Sequence, residues 1–100
     1  DCNGVQINGW VNEIMTVEPL ADKWRAFGWN VVEVNGHNMK DLLTVLHTAK
    51  TMRHPTVILM RTVKGRGVSF MEDDCKWHGN SPSDEELVQA TLEIGEGGVV

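Results

Sequence analysis

The sequence has only two cysteines, no excess of basic charge and no long apolar run, and each scarcity removes a class of protein. Cys2 and Cys75 can form one bridge at most, which excludes a disulfide scaffold; two free thiols are expected. Nine Lys and Arg stand against 14 Asp and Glu, a formal net charge of −5. Without a basic stripe to neutralise phosphates, nucleic acid and anionic membrane surfaces are not expected partners. No apolar run approaches the ~18 residues of a membrane span. No signal-peptide pattern opens the chain, and a cytoplasmic location is expected. Cys75 and His78 stand at metal-ligand spacing, but no second pair accompanies them, and a structural zinc takes four ligands. No segment repeats.

What is present suits one small folded unit. Of the 100 residues, 41% are hydrophobic and 23% charged, values of ordinary globular domains rather than disordered ones. A chain of this size buries roughly two-thirds of its unfolded surface, room for one modest core and no interdomain cleft. It starts at Asp1 rather than Met, inside a patterned segment, and is expected to be part of a longer polypeptide.

From Asp1 to Val17 the pattern reads as a strand end running into a loop. Pro19 can open a short helix with Leu20, Trp24 and Phe27 on one face, ended by Gly28; Trp24 and Phe27 are expected in the core. Val31 to Val34 is a short β-branched strand that enters a turn at Asn35-Gly36-His37-Asn38. Asn38 is placed to cap a helix with Asp41 in its first turn. Met39, Leu42, Leu43, Leu46 and Ala49 trace its packing face, and it should end before His54-Pro55. Thr56 to Met60 is almost continuously apolar, as in a strand covered on both faces of a parallel sheet. Strand, helix and strand make one right-handed crossover unit. Lys64 to Ser81 is an aperiodic loop, uncommonly long for a compact domain. Ser83-Asp84-Glu85-Glu86 matches a capping box ahead of a helix carrying Leu87, Ala90, Leu92 and Ile94. Residues 95–100 read as a tail or linker. So few strands cannot complete a parallel sheet, so residues 1–94 are expected to be the end of a larger doubly wound domain.

Ligands of open parallel sheets bind beyond the carboxyl ends of the strands. Three segments fit that place: Asp1 to Val5, Asn35 to Asn38, and Lys64 to Gly67. Asn3 offers a neutral amide oxygen, and Gly4 lets the backbone turn so that the Val5 carbonyl can face the same hard cation, Mg²⁺ or Ca²⁺. In Lys64-Gly65-Arg66-Gly67, backbone N–H groups and the lysine can approach a phosphate, although neither the Walker nor the dinucleotide pattern is met. An ordinary Asn-Gly turn and a solvated basic loop would read the same way. Trp77-His78-Gly79 sets an imidazole beside a large apolar anchor, able to donate to a phosphate or move a proton. His47 and His54 read as surface residues near a helix end.

Asp1 to Gly9, Leu20 to Trp29, Asn35 to His37, Lys64 to Glu72 and Trp77 to Gly79, in this order and spacing, closely resemble transketolase. The nearest likeness is to the N-terminal, diphosphate-binding subunit of split bacterial forms, and it runs from Asp1 to about Ile94. The resemblance implies a partial thiamine-diphosphate-binding fold of the α/β class, a parallel sheet flanked by helices. It implies that Asn3 and the Val5 carbonyl bind the divalent cation bridging the diphosphate. Lys64 would contact the diphosphate, and His78, fourteen residues later, would reach both cofactor and substrate as the catalytic residue. The implied activity is transfer of a two-carbon ketol unit between sugar phosphates in the pentose phosphate pathway. The implied partners are a pyrimidine-binding domain or C-terminal transketolase subunit, in a homodimer or heterotetramer. Asn8 and Asn35 stand where the family commonly has Asp, so both turns should survive with a carboxylate lost. The Gly-Asp-Gly that opens the family's cofactor motif, and the glutamate that activates the aminopyrimidine, are absent, so this piece alone is not expected to catalyse. Deoxyxylulose-phosphate synthase or another thiamine-diphosphate enzyme is the related alternative. A noncatalytic α/β module packing on a partner chain is the unrelated one.

Overall fold

The computed structural model describes residues 1–97. In chain order the elements are β1 (Val5–Gln6), β2 (Gly9–Trp10), α1 (Val11–Ile14), α2 (Leu20–Ala26), β3 (Asn30–Asn35), α3 (Met39–Ala49), β4 (Thr56–Arg61), a 3₁₀ turn (Cys75–His78) and α4 (Asp84–Gly97). Their contacts divide them into two units, one of residues 1–2 and 16–62, the other of residues 3–15 and from 63 onward.

The first unit is a β-α-β crossover. β3 and β4 pair in parallel, with Asn30 opposite Thr56 through Asn35 opposite Arg61. The β-branched run in both strands suits a pleated surface, and Leu59 is its most buried residue. Beside β4, a single parallel bridge joins Cys2 to Arg61, and the Cys2 N–H donates to the Met60 carbonyl at 2.8 Å. α3 starts as its sequence dictates: the Asn38 side chain accepts from the Asp41 N–H at 3.2 Å. α2 opens after Pro19, with the Glu18 carboxylate accepting from the Leu20 N–H at 2.8 Å. It ends at Gly28, whose N–H bonds the Arg25 carbonyl.

Two packing expectations are corrected. Phe27 is 80% exposed and Trp24 only half-buried, stacked edge-to-face on Trp29 at 4.9 Å. On α3, Leu43, Leu46 and Met39 are exposed, whereas Leu42, Val45 and Ala49 turn inward. The physical reason is coverage: two paired strands and the helices beside them cannot enclose both sides of each element. The outer face of α2 leaves an apolar groove of about 300 Å³ lined by Val17, Leu20, Lys23, Trp24 and Phe27.

The second unit holds the β1–β2 hairpin, α1, the long loop and α4. Where a loop was expected, Val5 pairs with Trp10 and Gln6 with Gly9 around the two-residue connection Ile7-Asn8, so the Asn8 turn is present. α4 begins with a capping box: the Glu86 N–H donates to Ser83 Oγ at 3.2 Å, and the Ser83 N–H donates back to the Glu86 carboxylate at 2.8 Å. The helix continues to Gly97, past the Ile94 end expected from sequence. The rest of the expected tail, residues 98–100, lies outside the described residues. Among the described residues of this unit, Val68 and Ala90 are the buried apolar ones.

Candidate functional site

Asn3, Val5, Lys64 and His78 all fall in the second unit. The Asn3 Oδ1 accepts from the Val5 N–H at 2.9 Å, closing an Asx turn across Gly4. Gly4 holds φ +76°, a left-handed conformation that a side chain would strain. Beyond the turn, the Gly4 carbonyl accepts from the Val11 N–H and β1 packs against the 3₁₀ turn that ends in His78. The elements bearing Asn3, Val5 and His78 are thus neighbours. Both Asn3 and Val5 are half-buried, and His78 is exposed.

Lys64 sits at the mouth of a folded loop. Its carbonyl accepts from the Asp73 N–H at 2.9 Å, which closes residues 64–73 into a ring. Inside the ring, the Val68 N–H bonds the Gly65 carbonyl, and the Val68 carbonyl accepts from Met71 and Glu72. The Glu72 carboxylate accepts from the Gly67 N–H at 3.1 Å. Gly65, at φ +72°, passes so close to Met71 that a Cβ would lie 2.7 Å from that residue's carbonyl carbon. Only glycine fits there. Lys64 is half-buried, and among the described residues its ammonium has no carboxylate partner.

The loop and the 3₁₀ turn are joined through Trp77. Its indole N–H donates to the Phe70 carbonyl at 3.0 Å, and the two rings meet edge-to-face at 5.5 Å. Asp74 caps the turn, accepting from the Lys76 N–H at 2.9 Å. Sequence reasoning passed over three residues that shape this loop: Glu72, Ser69 and Glu93. The Glu93 carboxylate accepts from Ser69 twice and from Gln89 once. The Ser69 backbone N–H, then the Gln89 amide and the Ser69 hydroxyl, hold its carboxyl below the usual glutamate range. Of these contacts only Gln89 with Glu93, four apart on a helix, had a local signal.

The donor chemistry fits a cation-bridged diphosphate. Asn3 Oδ1 and the Val5 carbonyl are neutral oxygens of the kind Mg²⁺ or Ca²⁺ takes, and an amide oxygen has two lone pairs, so the Asx turn does not exclude a cation. Among the described residues no three His, Cys, Asp or Glu side chains cluster as a metal site, and both thiols are unpaired. Gln6, next to Val5 on β1, keeps a buried amide nitrogen with no hydrogen-bond partner, a donor still open to a ligand. The turn at Asn35 survives without a carboxylate: Asn35 Oδ1 accepts from the His37 N–H at 3.0 Å.

Motif order and fold together define a thiamine-diphosphate-dependent class of domain. The chain belongs to the family described as "Transketolase, thiamine diphosphate binding domain", which matches residues 1–97. It is 39% identical over 97 residues to an apulose-4-phosphate transketolase subunit of Phocaeicola vulgatus, covering 96% of this chain and 34% of that protein. It is likewise 39% identical over 99 residues to the 6-deoxy-6-sulfo-D-fructose transketolase subunit SqwG of a Clostridium species, covering 98% and 36%. The chain therefore spans about a third of the length of these relatives. Its fold matches the crystal structure of transketolase from Campylobacter jejuni with a TM-score of 0.88 at 27% identity, over 95% of this chain and 15% of that one. The α/β fold is thus a partial transketolase fold. Among the described residues, no helix is long and apolar enough to cross a membrane.

Proposed function

We propose that this chain supplies the diphosphate- and cation-binding part of a cofactor pocket in a transketolase-type enzyme. The enzyme transfers a two-carbon ketol unit between sugar phosphates, in the cytoplasm and as a step of the pentose phosphate pathway. The observation that carries this reading is the Asx turn of Asn3 and Val5 on a strand packed against the His78 turn, in a chain of this family. When bound, thiamine diphosphate supplies the carbon nucleophile for a ketose carbonyl.

The residues of this chain have distinct parts. Asn3 Oδ1 and the Val5 carbonyl hold Mg²⁺ or Ca²⁺ at the diphosphate, where the cation offsets anionic charge that a chain of net charge −5 would otherwise repel. Lys64 adds a cationic donor to the same diphosphate. His78, exposed on its turn, hydrogen-bonds the substrate's reacting end and carries a proton to or from its oxygen. The pyrimidine half of the pocket comes from another domain or subunit, in a homodimer or heterotetramer. The names of the two relatives point to a sugar phosphate in one and a sulfonated sugar in the other, so an anionic sugar is the substrate class.

Titration calorimetry of the full-length protein with thiamine diphosphate and Mg²⁺ tests the reading. Saturable, Mg²⁺-dependent binding that Asn3→Ala weakens at least about tenfold is expected. Binding indifferent to both Mg²⁺ and Asn3 would sink it.

A further inference from the structure

The Glu93 carboxylate is the point at which α4 grips the long loop. Its Oε2 accepts from the Ser69 backbone N–H at 2.5 Å, and its Oε1 from the Ser69 hydroxyl at 2.8 Å. Gln89, one turn earlier, donates to the same Oε1 at 2.9 Å and fixes the carboxylate on its helix. Ser69 lies between Val68, buried and central to the ring of hydrogen bonds closed at Lys64, and Phe70, whose carbonyl takes the Trp77 indole N–H beside His78. One carboxylate therefore anchors the short stretch from which the Lys64 ring and the His78 turn both extend.

We propose that Glu93 is a positioning residue of the pocket, acting through Ser69 to set Lys64 and His78 in one arrangement. The proposal rests on the cofactor reading above. Glu93 touches neither cofactor nor substrate; it fixes the backbone from which those contacts are made. Both Ser69 donors are needed because a backbone N–H alone leaves the side chain free to rotate, whereas the pair defines the orientation of the peptide. A carboxylate is needed because a carboxamide would turn its NH₂ toward one of two donors.

The test uses the full-length protein assembled with its partner chains, measuring thiamine diphosphate affinity by calorimetry in excess Mg²⁺, sugar-phosphate KM, and the thermal midpoint without cofactor. Glu93→Ala is expected to weaken the cofactor about tenfold, as loss of a supporting shell does, and to raise KM through the displaced His78, with the midpoint within about 2 °C. Glu93→Gln should weaken it less. Ser69→Ala in the Glu93→Ala background should add almost nothing, since the two act as one unit. Unchanged cofactor affinity in Glu93→Ala overturns the proposal. So does a loss of cofactor affinity matched by a fall of the midpoint well beyond about 2 °C in both Glu93 variants, which would make the contact a fold contact only. If Glu93→Ala does not fold, Glu93→Gln decides by the same criteria. Lys64→Ala separates the two readings. If it weakens the cofactor while the Glu93 variants do not, positioning fails and the pocket stands; if Lys64→Ala and Asn3→Ala are both silent, the pocket reading falls and takes positioning with it.

Discussion

The Trp77 indole N–H donates to the carbonyl oxygen of Phe70 at 3.0 Å while their rings stack edge-to-face. Two residues of an aperiodic loop are thereby locked as a pair, and His78 follows directly on the locked side. Trp77→Phe keeps a ring and removes the donor, leaving a partly buried carbonyl unsatisfied. The expected cost is about 1 kcal/mol in urea unfolding of the full-length protein. An unchanged midpoint would mean that water replaces the indole at no cost.

Gly65 and Gly67 make an internal comparison. Both have positive φ, but a Cβ on Gly65 meets the Met71 backbone and one on Gly67 meets nothing within 4 Å. Gly67→Ala should cost only the left-handed strain, about 1 kcal/mol. Gly65→Ala adds a clash with atoms that cannot rotate away, so it should cost more than about 2 kcal/mol and weaken thiamine diphosphate binding. Denaturant midpoints of the two variants side by side check the order, and equal losses would refute it.

The β3-α3-β4 crossover was legible because its signals are local: β-branched runs for the strands and an Asn cap for the helix. The capping box at Ser83 was legible for the same reason. The β1–β2 hairpin was not, since two-residue strands are too short to show alternation. Periodicity also placed Phe27, Leu43 and Leu46 on helix faces without revealing that they stay exposed, uncovered by the described residues. At the candidate site, the Asn3 turn lies within three residues and could be read directly, whereas Ser69 and Glu93 meet across 24 positions and left no trace in any local pattern.

His78 ends an ordered 3₁₀ turn yet is itself exposed, so its side chain contributes little to folding. In the full-length enzyme His78→Ala should lower kcat by about 10²-fold or more, the usual scale for a lost proton-transfer group. The thermal midpoint should stay unchanged. Kinetics equal to the parent would return His78 to an ordinary surface residue.

Arg61 at the end of β4 joins two carboxylates, Glu33 at 3.0 Å and Glu18 at 3.1 Å. The Leu20 N–H and then Arg61 hold the Glu18 carboxyl below its usual range. A carboxyl depressed in the folded state stabilises fully above its unfolded pKa, and the contribution is lost as pH falls through the lower, folded value. The window therefore opens at the ordinary glutamate pKa and extends below it. All three side chains are well exposed, so the effect is small and weakens with salt. In low-salt buffer Glu18→Gln should lower stability slightly on the neutral side and leave the low-pH end unchanged, so that the acid slope between them flattens. Arg61→Gln should flatten it less, because the Leu20 N–H remains as the larger cause. Chemical unfolding at stepped pH reads both, and equal flattening in the two variants would assign the depression to Arg61 instead.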